Sequence, residues 1–220
     1  MGTADIDRDL KPLLEPLTGD LNVAVMVTSL DGIVAIDGRV GGLTGEADQR
    51  MLLSLRERSL AVVVGGATVR AEGYAALLPA AAQQTRAAAG LNPQPELVII
   101  SRSPIGAAGT EAALATDLDL LVDVPPATAD GEPDLRAVSD GIRERHGPGL
   151  AVWEGGPTVV RMAVGQGVLD ELFLAISPLI VGRGTPFAGA LPAGTQPLQL
   201  LGSAGSEDFM FLRYGFRHGA

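Results

Sequence analysis

No cysteine occurs in this chain, so it has neither a disulfide framework nor a thiolate metal site to build on. Lysine occurs once, as Lys11 in KPLLEP, against fifteen arginines. A Walker-type phosphate loop needs a lysine after its last glycine and Schiff-base catalysis needs one in the core, so both chemistries are set aside. The two histidines, His146 in RHGPG and His218 near the C-terminus, fit solvated surface positions better than catalytic or metal-binding ones. Neither G-x-S-x-G nor H-E-x-x-H occurs. Basic charge is scarce as well: 16 basic residues face 26 acidic ones, a formal net charge of −10, whereas nucleic-acid binding needs a basic footprint to displace counterions from phosphates. No apolar run approaches the roughly eighteen residues of a membrane span. The opening MGTADIDRDLK lacks a basic n-region and an apolar h-region, and Ile6 breaks the myristoylation pattern. The expectation is a cytoplasmic protein with no metal, nucleic-acid or membrane partner. If it is an enzyme, a bound cofactor supplies the reactive atom and the protein positions it.

What is present is an alternation of short apolar runs with helical patterns. The 220 residues suit one large domain, 1–220, with 1–20 as an N-terminal extension packing on it. Strands are expected over 22–29, 60–64, 96–101, 118–124, 150–153 and 171–181, with 197–203 and 208–216 as a closing antiparallel pair. A helix is expected over 44–58, with Thr44 as N-cap and Met51, Leu52 and Leu55 as its apolar stripe. Leu135, Val138 and Ile142 mark a second helix, stopped by Gly147-Pro148, and Pro157 suits the first turn of a third that ends near Gly165. The Ala-rich 80–90 reads as a surface helix, 104–113 as an irregular loop and 125–133 as a turn-rich connection. This pattern predicts an α/β fold: a largely parallel central sheet, antiparallel C-terminal strands, and helices on both faces. DFMFLRYGF carries Phe209, Phe211 and Tyr214, and at a sheet edge it would expose an apolar strand that favours a homodimer.

One device occurs twice. LAVVVGGATVR (60–70) and LAVWEGGPTVV (150–160) are identical at seven of eleven positions, with Glu154 standing where the first copy has Val64. Each copy is an apolar strand, a Gly-Gly pair and a helix start, a place where backbone amides and the helix dipole suit phosphate. Two such turns would clasp a dinucleotide without basic side chains. Neither copy is G-x-G-x-x-G, and singly each is an ordinary strand-to-helix turn. Ligands of open α/β sheets lie beyond the carboxyl ends of the strands. Asp31, Gly65-Gly66, Ser101 and Glu154-Gly155-Gly156 all follow predicted strands at that end. Asp31-Gly32 reads equally as a plain turn, and Glu154 as a helix-capping acid.

TSLDG (28–32), LRERSLAVVVGGATVRAEGY (55–74) and VWEGGPTVVRMAVGQGVLDELFLAISPLIVGRG (152–184) together resemble the C-terminal reductase domain of riboflavin-biosynthesis deaminase–reductases. That family has a dihydrofolate reductase-like, three-layer fold. The resemblance runs from about Asn22 to the C-terminus, and E-G-G-P-T with the following G-x-x-D-E-L and S-P-x-x-x-G is its most specific part. It implies an NADPH-dependent reductase of a pyrimidine or pterin-like heterocycle, with NADPH pyrophosphate between the two Gly-Gly turns. Val27, Gly66, Thr68, Glu72 (for the family's usual Asp), Ser101, Gly155, Gly156, Pro157, Thr158 and Val159 are implied cofactor contacts. Asp31, Arg56 and Glu154 are implied substrate contacts. Asp31, Glu154 or an ordered water would supply the proton. Arg102, beside Ser101, is available to the ribose phosphate of NADPH, and members of the family pair as homodimers through the terminal strands.

The sequence also departs from the family's pattern. Pro79 stands where an arginine engages the substrate's phosphate, and Gly42 where an aromatic lies against the ligands. The cysteine-containing zinc signature of the deaminase is absent. The cofactor half therefore matches while the substrate half is altered, and Arg39, Arg70 or Arg86 would have to supply any missing charge. Two functions follow: the reductase, or a non-catalytic NADP-binding module with a degenerate substrate site.

Overall fold

The structure is a computed structural model that describes residues 3–72, 74, 76–101, 120–123, 125–187 and 196–217. Among the described residues ten strands are formed: β1 (Leu21–Thr28), β2 (Ile33–Ala35), β3 (Ala61–Gly65), β4 (Glu96–Ile100), β5 (Leu120–Asp123), β6 (Leu150–Trp153), β7 (Glu171–Ile176), β8 (Thr185–Pro186), β9 (Leu198–Ser206) and β10 (Phe209–Phe216). Among the described residues the helices are α1 (Thr3–Leu14), α2 (Glu46–Arg56), α3 (Gly66–Glu72), α4 (Ala80–Ala88), α5 (Leu135–His146) and α6 (Pro157–Gly165). Eight strands make one sheet in the order β5-β4-β3-β6-β1-β7-β10-β9, while β2 and β8 form a separate ribbon. From β5 to β7 every pairing is parallel; β10 runs antiparallel to β7 and to β9. The expected mixed sheet with an antiparallel end is therefore present. Among the described residues no helix is long and apolar enough to cross a membrane.

Side chains alternate across the parallel strands and divide the core into two faces. Ala24 and Met26 of β1 join Ala151 and Trp153 of β6 on the face covered by α5 and α6. Val23 and Val27 join Val152, Phe173 and Phe211 on the face covered by α1 and α2. Fully buried Trp153 donates its indole N–H to Asn22 Oδ1 at 3.1 Å, so its one polar atom is satisfied. The N-terminal segment is helical. Ile6, Leu10 and Leu13 of α1 are buried in the second face, and its last turn is tied down where Arg213 donates to Leu13 O at 3.1 Å while pairing with Glu171.

Several expected boundaries move for identifiable reasons. The cap of α2 is Gly45, not Thr44: Thr44 Oγ1 turns back to Gly41 O, and Gly45 takes the extended cap position with no side-chain bond. A Cβ at 45 would meet Phe209 Cε2 at 2.7 Å, so close approach to β10 demands glycine there. The strand expected over 171–181 ends at Ile176. Ser177 still donates to Thr28 O, but Pro178 has no N–H with which to continue the ladder. Gly147, at φ +77°, stops α5 as its position predicts. β10 lies inside the sheet, with Phe209 and Phe211 buried, and β9 forms the edge. The apolar side chains left exposed there are Leu200, Leu201 and Met210. The loop expected at 104–113 lies outside the described residues.

Candidate active site

The two halves of the sequence repeat are neighbours in register. β3 pairs with β6 so that Ala61 faces Ala151, Val62 faces Val152 and Val63 faces Trp153. Past the ladder, Glu154 N–H donates to Val63 O at 2.9 Å, and the two Gly-Gly turns then lie side by side. Their glycines are required first by each other. A Cβ on Gly155 would lie 2.7 Å from Val159 Cβ, one on Gly65 3.0 Å from Val159 Cγ2, and one on Gly156 2.9 Å from Thr68 Oγ1. Thr68, on the first copy's helix, accepts the Gly156 N–H at 2.9 Å and locks the turns together. The repeat thus builds one rigid double turn at the carboxyl end of the sheet, with α6 beginning at Pro157 on its rim.

A cleft of about 420 Å³ opens against this double turn, within the range of small-molecule sites. Thr68, Glu154, Gly155, Gly156 and Pro157 line one side, Val25, Met26, Val27 and Val34 give an apolar stretch, and Asp48, Leu52 and Arg56 of α2 line another wall. Across it Arg56 grips Glu154 in a two-pronged pair: Nε to Oε1 and Nη2 to Oε2, both 2.6 Å. Only 14% of the Arg56 side chain and 6% of Glu154 are exposed. Tyr74 donates to Glu154 Oε2 at 3.3 Å, and Arg56 Nη1 to Leu77 O at 3.1 Å. Burial disfavours the Arg56 charge, but the Glu154 carboxylate outweighs it and holds the guanidinium above its ordinary pKa. Arg56 is also held from behind. Arg86, itself buried, donates to the carbonyls of Arg56, Glu57, Ser59 and Asn92, which fixes the C-terminal end of α2.

The cleft brings together Val27, Thr68, Glu154, Gly155, Gly156, Pro157 and Arg56 from the residues expected in sequence. It leaves others off its lining. Gly66 and Val159 are buried behind the turns, Thr158 is exposed on α6, and Ser101 follows β4 away from the cleft. The Glu72 side chain and Arg102 lie outside the described residues. Asp31 is also off the lining, and its carboxylate is occupied: Ser29 Oγ donates at 2.6 Å, Val181 N–H at 3.0 Å and Gly182 N–H at 2.7 Å. These bonds, the serine's first, hold its pKa down at about 2. Asp31 pins the segment after β7 to the end of β1. Because the folded-state pKa is depressed below the ordinary 3.8, this clamp is intact above that value and is lost as pH falls through about 2. Asp31→Ala is expected to speed hydrogen exchange at the Val181 and Gly182 amides. Unaltered exchange would remove the clamp.

Asp48 is the residue sequence reading missed. It lies 6% exposed on the cleft wall, and desolvation alone raises its pKa from 3.8 to about 6. The signal was present in the spacing: positions 48, 52 and 56 recur every four residues and form one stripe on α2. Its neighbouring stripe, Ala47, Met51 and Leu55, is the one fully buried in the core. A raised carboxyl pKa reverses the usual acid dependence. The folded state binds the proton more tightly, so Asp48 destabilises the protein increasingly from about pH 4 to about pH 6, and that penalty persists above. With a shift of roughly two units, Asp48→Asn is expected to stabilise at pH 7 by up to about 3 kcal/mol and by little at pH 4. Denaturant unfolding at the two pH values measures this, and an equal effect at both would contradict it.

The altered positions are placed too. Gly42 lies against Ile36, where a Cβ would approach Cδ1 to 3.2 Å. Pro79 is the extended N-cap of α4. Neither lines the cleft. Of the arginines considered as substitutes, Arg86 is committed to carbonyls, and Arg39 and Arg70 are exposed.

Among solved structures the chain is similar to a pyrimidine reductase-like protein from Corynebacterium diphtheriae, with 22% identity, 96% of this chain and 95% of that one covered, and a TM-score of 0.72. RibD from Acinetobacter baumannii matches at 19% identity over 98% of this chain and 63% of its own, with a TM-score of 0.67. Dihydrofolate reductase from Enterococcus faecalis, solved with NADP(H), matches at 11% identity over 90% and 97%, with a TM-score of 0.54. These likenesses establish a dihydrofolate reductase-like fold. No curated protein matches the sequence. The family model for the RibD C-terminal domain matches residues 23–203, and the chain belongs to that family.

Proposed function

We propose that the chain is an NADPH-dependent reductase of a pyrimidine or pterin-like heterocycle, acting in the cytoplasm as a homodimer. Membership of the RibD C-terminal domain family supports an oxidoreductase. The observation that carries the reading is the facing of two surfaces on one cleft: a double glycine turn at a helix start, which bears Glu154, and α2, whose buried Arg56 reaches across to pair with it. Thr68, Gly155, Gly156 and Pro157 would hold the cofactor's phosphates, and the Val27 backbone would contact the cofactor. Bound there, NADPH supplies a hydride.

The chain's own residues do the rest. Val25, Met26, Val27 and Val34 line the cleft and exclude water from a reacting ring, which strengthens nearby electrostatics. Arg56 fixes Glu154 in one orientation, and that carboxylate retains acceptor capacity for a substrate N–H. Asp31 holds loop backbone, so the proton comes from the Glu154 side of the cleft or from water. Among the described residues no free arginine lines the cleft to replace the one lost at Pro79, which favours a substrate without a ribose phosphate. For the dimer, the exposed Leu200 (54%), Leu201 (44%) and Met210 (46%) on the outer strands support pairing there. Light scattering at micromolar concentration should give twice the 22.5 kDa chain mass, and a monomer would contradict this.

The test is NADPH consumption with the phosphoribosylamino-uracil intermediate, a dihydropterin and dihydrofolate. Expected is turnover of a non-phosphorylated heterocycle and weaker or no reaction with NADH. Efficient reduction of the phosphorylated intermediate would return the chain to the ordinary riboflavin-pathway step. Binding of NADPH without consumption on any of them would make it a non-catalytic module.

A further inference from the structure

The helix that carries Leu52 and Arg56 on the cleft wall, α2, is held at both ends by charged side chains from other elements. At its C-terminal end the buried guanidinium of Arg86 donates to the carbonyls of Arg56, Glu57 and Ser59. At its N-terminal end the first-turn amides have no acceptor within the helix, and Gly45 at the cap position has no side chain to offer them. The acceptor comes from Glu207, 160 residues away in sequence, whose Oε2 takes the Ala47 N–H at 3.2 Å. Ala47 is fully buried, so without that carboxylate a buried donor would be left unsatisfied. An anion at the start of α2 and a cation at its end both complement the helix dipole.

The cap comes at the cost of backbone strain. Glu207 and Asp208 are the two residues between the paired Ser206 and Phe209, and both have positive φ, +53° and +70°. Hairpin turns of this shape favour Asn-Gly, because a left-handed backbone disfavours a side chain. Residues held there despite that point to a task for the side chain. Asp208 shows none: it is exposed, and its side chain makes neither hydrogen bond nor ion pair among the described residues. Glu207 has the bond to α2. Two positions on, Phe209 is what bars a capping side chain at position 45, since a Cβ there would meet its ring at 2.7 Å. The hairpin that denies α2 a cap of its own thus supplies one. Its base is fixed, with Ser206 Oγ donating to Asp9 of α1 at 3.1 Å and buried Phe209 stacked on Phe211.

We propose that Glu207, outside the cleft, is a positioning residue that sets the width of the cleft. With its C-terminal end anchored by Arg86, α2 can swing at its other end unless the bond between Ala47 and Glu207 holds it. Loss of that bond moves Leu52 relative to Val25, Val27 and Val34, which line the cleft with it. Arg56, about 13 Å along the helix from Ala47 and beside the Arg86 anchor, keeps its grip on Glu154. This rests on the reductase reading above and adds to it what controls how closely a substrate ring is held. Small displacements of a positioning element are enough to change the handling of substrate.

Methyl-resolved NMR of the full chain, with turnover of a dihydropterin by the same proteins, tests this. Glu207→Gly removes the carboxylate and relieves the strained φ, so its unfolding midpoint is expected close to that of the wild type. Its Leu52 methyl signals should shift while the Arg56 Nε–H signal stays in place. Its KM for the dihydropterin should rise about tenfold with kcat and NADPH affinity kept within about twofold, as when ground-state and transition-state binding are lost together. Glu207→Gln, which keeps an oxygen acceptor, should restore most of the wild-type behaviour. Asp208→Gly, which relieves strain in the same turn without touching the bond, should match the wild type. If the glycine variant does not fold, Glu207→Asp, one methylene too short to reach Ala47, carries the same expectation. Unmoved Leu52 signals, Leu52 and Arg56 signals that move together, or an Asp208→Gly protein that behaves like Glu207→Gly overturns the role of Glu207. A wild type that does not reduce the dihydropterin strikes the reductase reading instead, and the Leu52 signals still decide on Glu207.

Discussion

Arg56→Leu is expected to lower stability by about 3–5 kcal/mol, because it strands the Glu154 carboxylate in a site where only 6% of its side chain meets solvent. The loss is not the value of the ion pair. It is the penalty of an uncompensated buried charge, to which the lost bond to Leu77 O adds. Replacing both partners, Arg56→Leu with Glu154→Leu, should therefore recover most of the stability while leaving the protein inactive. That divergence separates structure from function. For any single variant that remains folded, kcat/KM should fall by about a hundredfold or more, as expected when one member of a hydrogen-bonded charge pair at a binding surface is removed. Urea unfolding of the three variants decides the first part. A loss below about 1 kcal/mol for Arg56→Leu would mean that the pair is more hydrated than its burial indicates.

Gly155→Val should weaken NADPH binding about a hundredfold. The first new atom would lie 2.7 Å from Val159 Cβ and 2.8 Å from its Cγ1. Val159 is β-branched, so its χ1 has little freedom within the first turn of α6, and the backbone of that turn has to shift instead. A displacement near 1 Å at a positioning element is enough for an effect of this size. Gly165→Ala, in the same helix, is the control: nothing lies within 4 Å of its added Cβ, and affinity and fold should be kept. A folded Gly155→Val protein with wild-type NADPH affinity would show that phosphate does not rest on the double turn.

The sequence was most informative where a local pattern and the tertiary structure asked for the same thing. β6 and α6 appear at their expected positions because LAVW is a short buried run and Pro157 suits a first helical turn. The repeat announced its own register, since identical residues face each other across β3 and β6. What the repeat did not reveal was that its glycines answer to Thr68 and Val159 before any ligand. The cap of α2 was misread because Thr44 is the better capping residue by itself, and only contact with Phe209, over 160 residues away in sequence, explains Gly45. Asp31 looked like a site residue because it follows a strand at the ligand-binding end; its partners, the amides of Val181 and Gly182, come from a distant loop. Asp48 was hidden for the opposite reason. An acid in the first turn of a helix reads as a dipole-compensating surface residue, whereas the fold leaves this one 6% exposed on the lining of the cleft.

In the proposed reaction a hydride leaves NADPH for a heterocycle held between the double turn and the α2 wall that bears Arg56. Reaction with NADPH deuterated at the transferring position, followed by mass spectrometry of the reduced heterocycle, tests it most directly. One deuterium is expected in the product from wild-type protein, and labelled product should form about a hundredfold or more slowly with Arg56→Leu. NADPH bound at the double turn with no deuterium reaching any heterocycle offered would contradict it and leave a nucleotide-binding module.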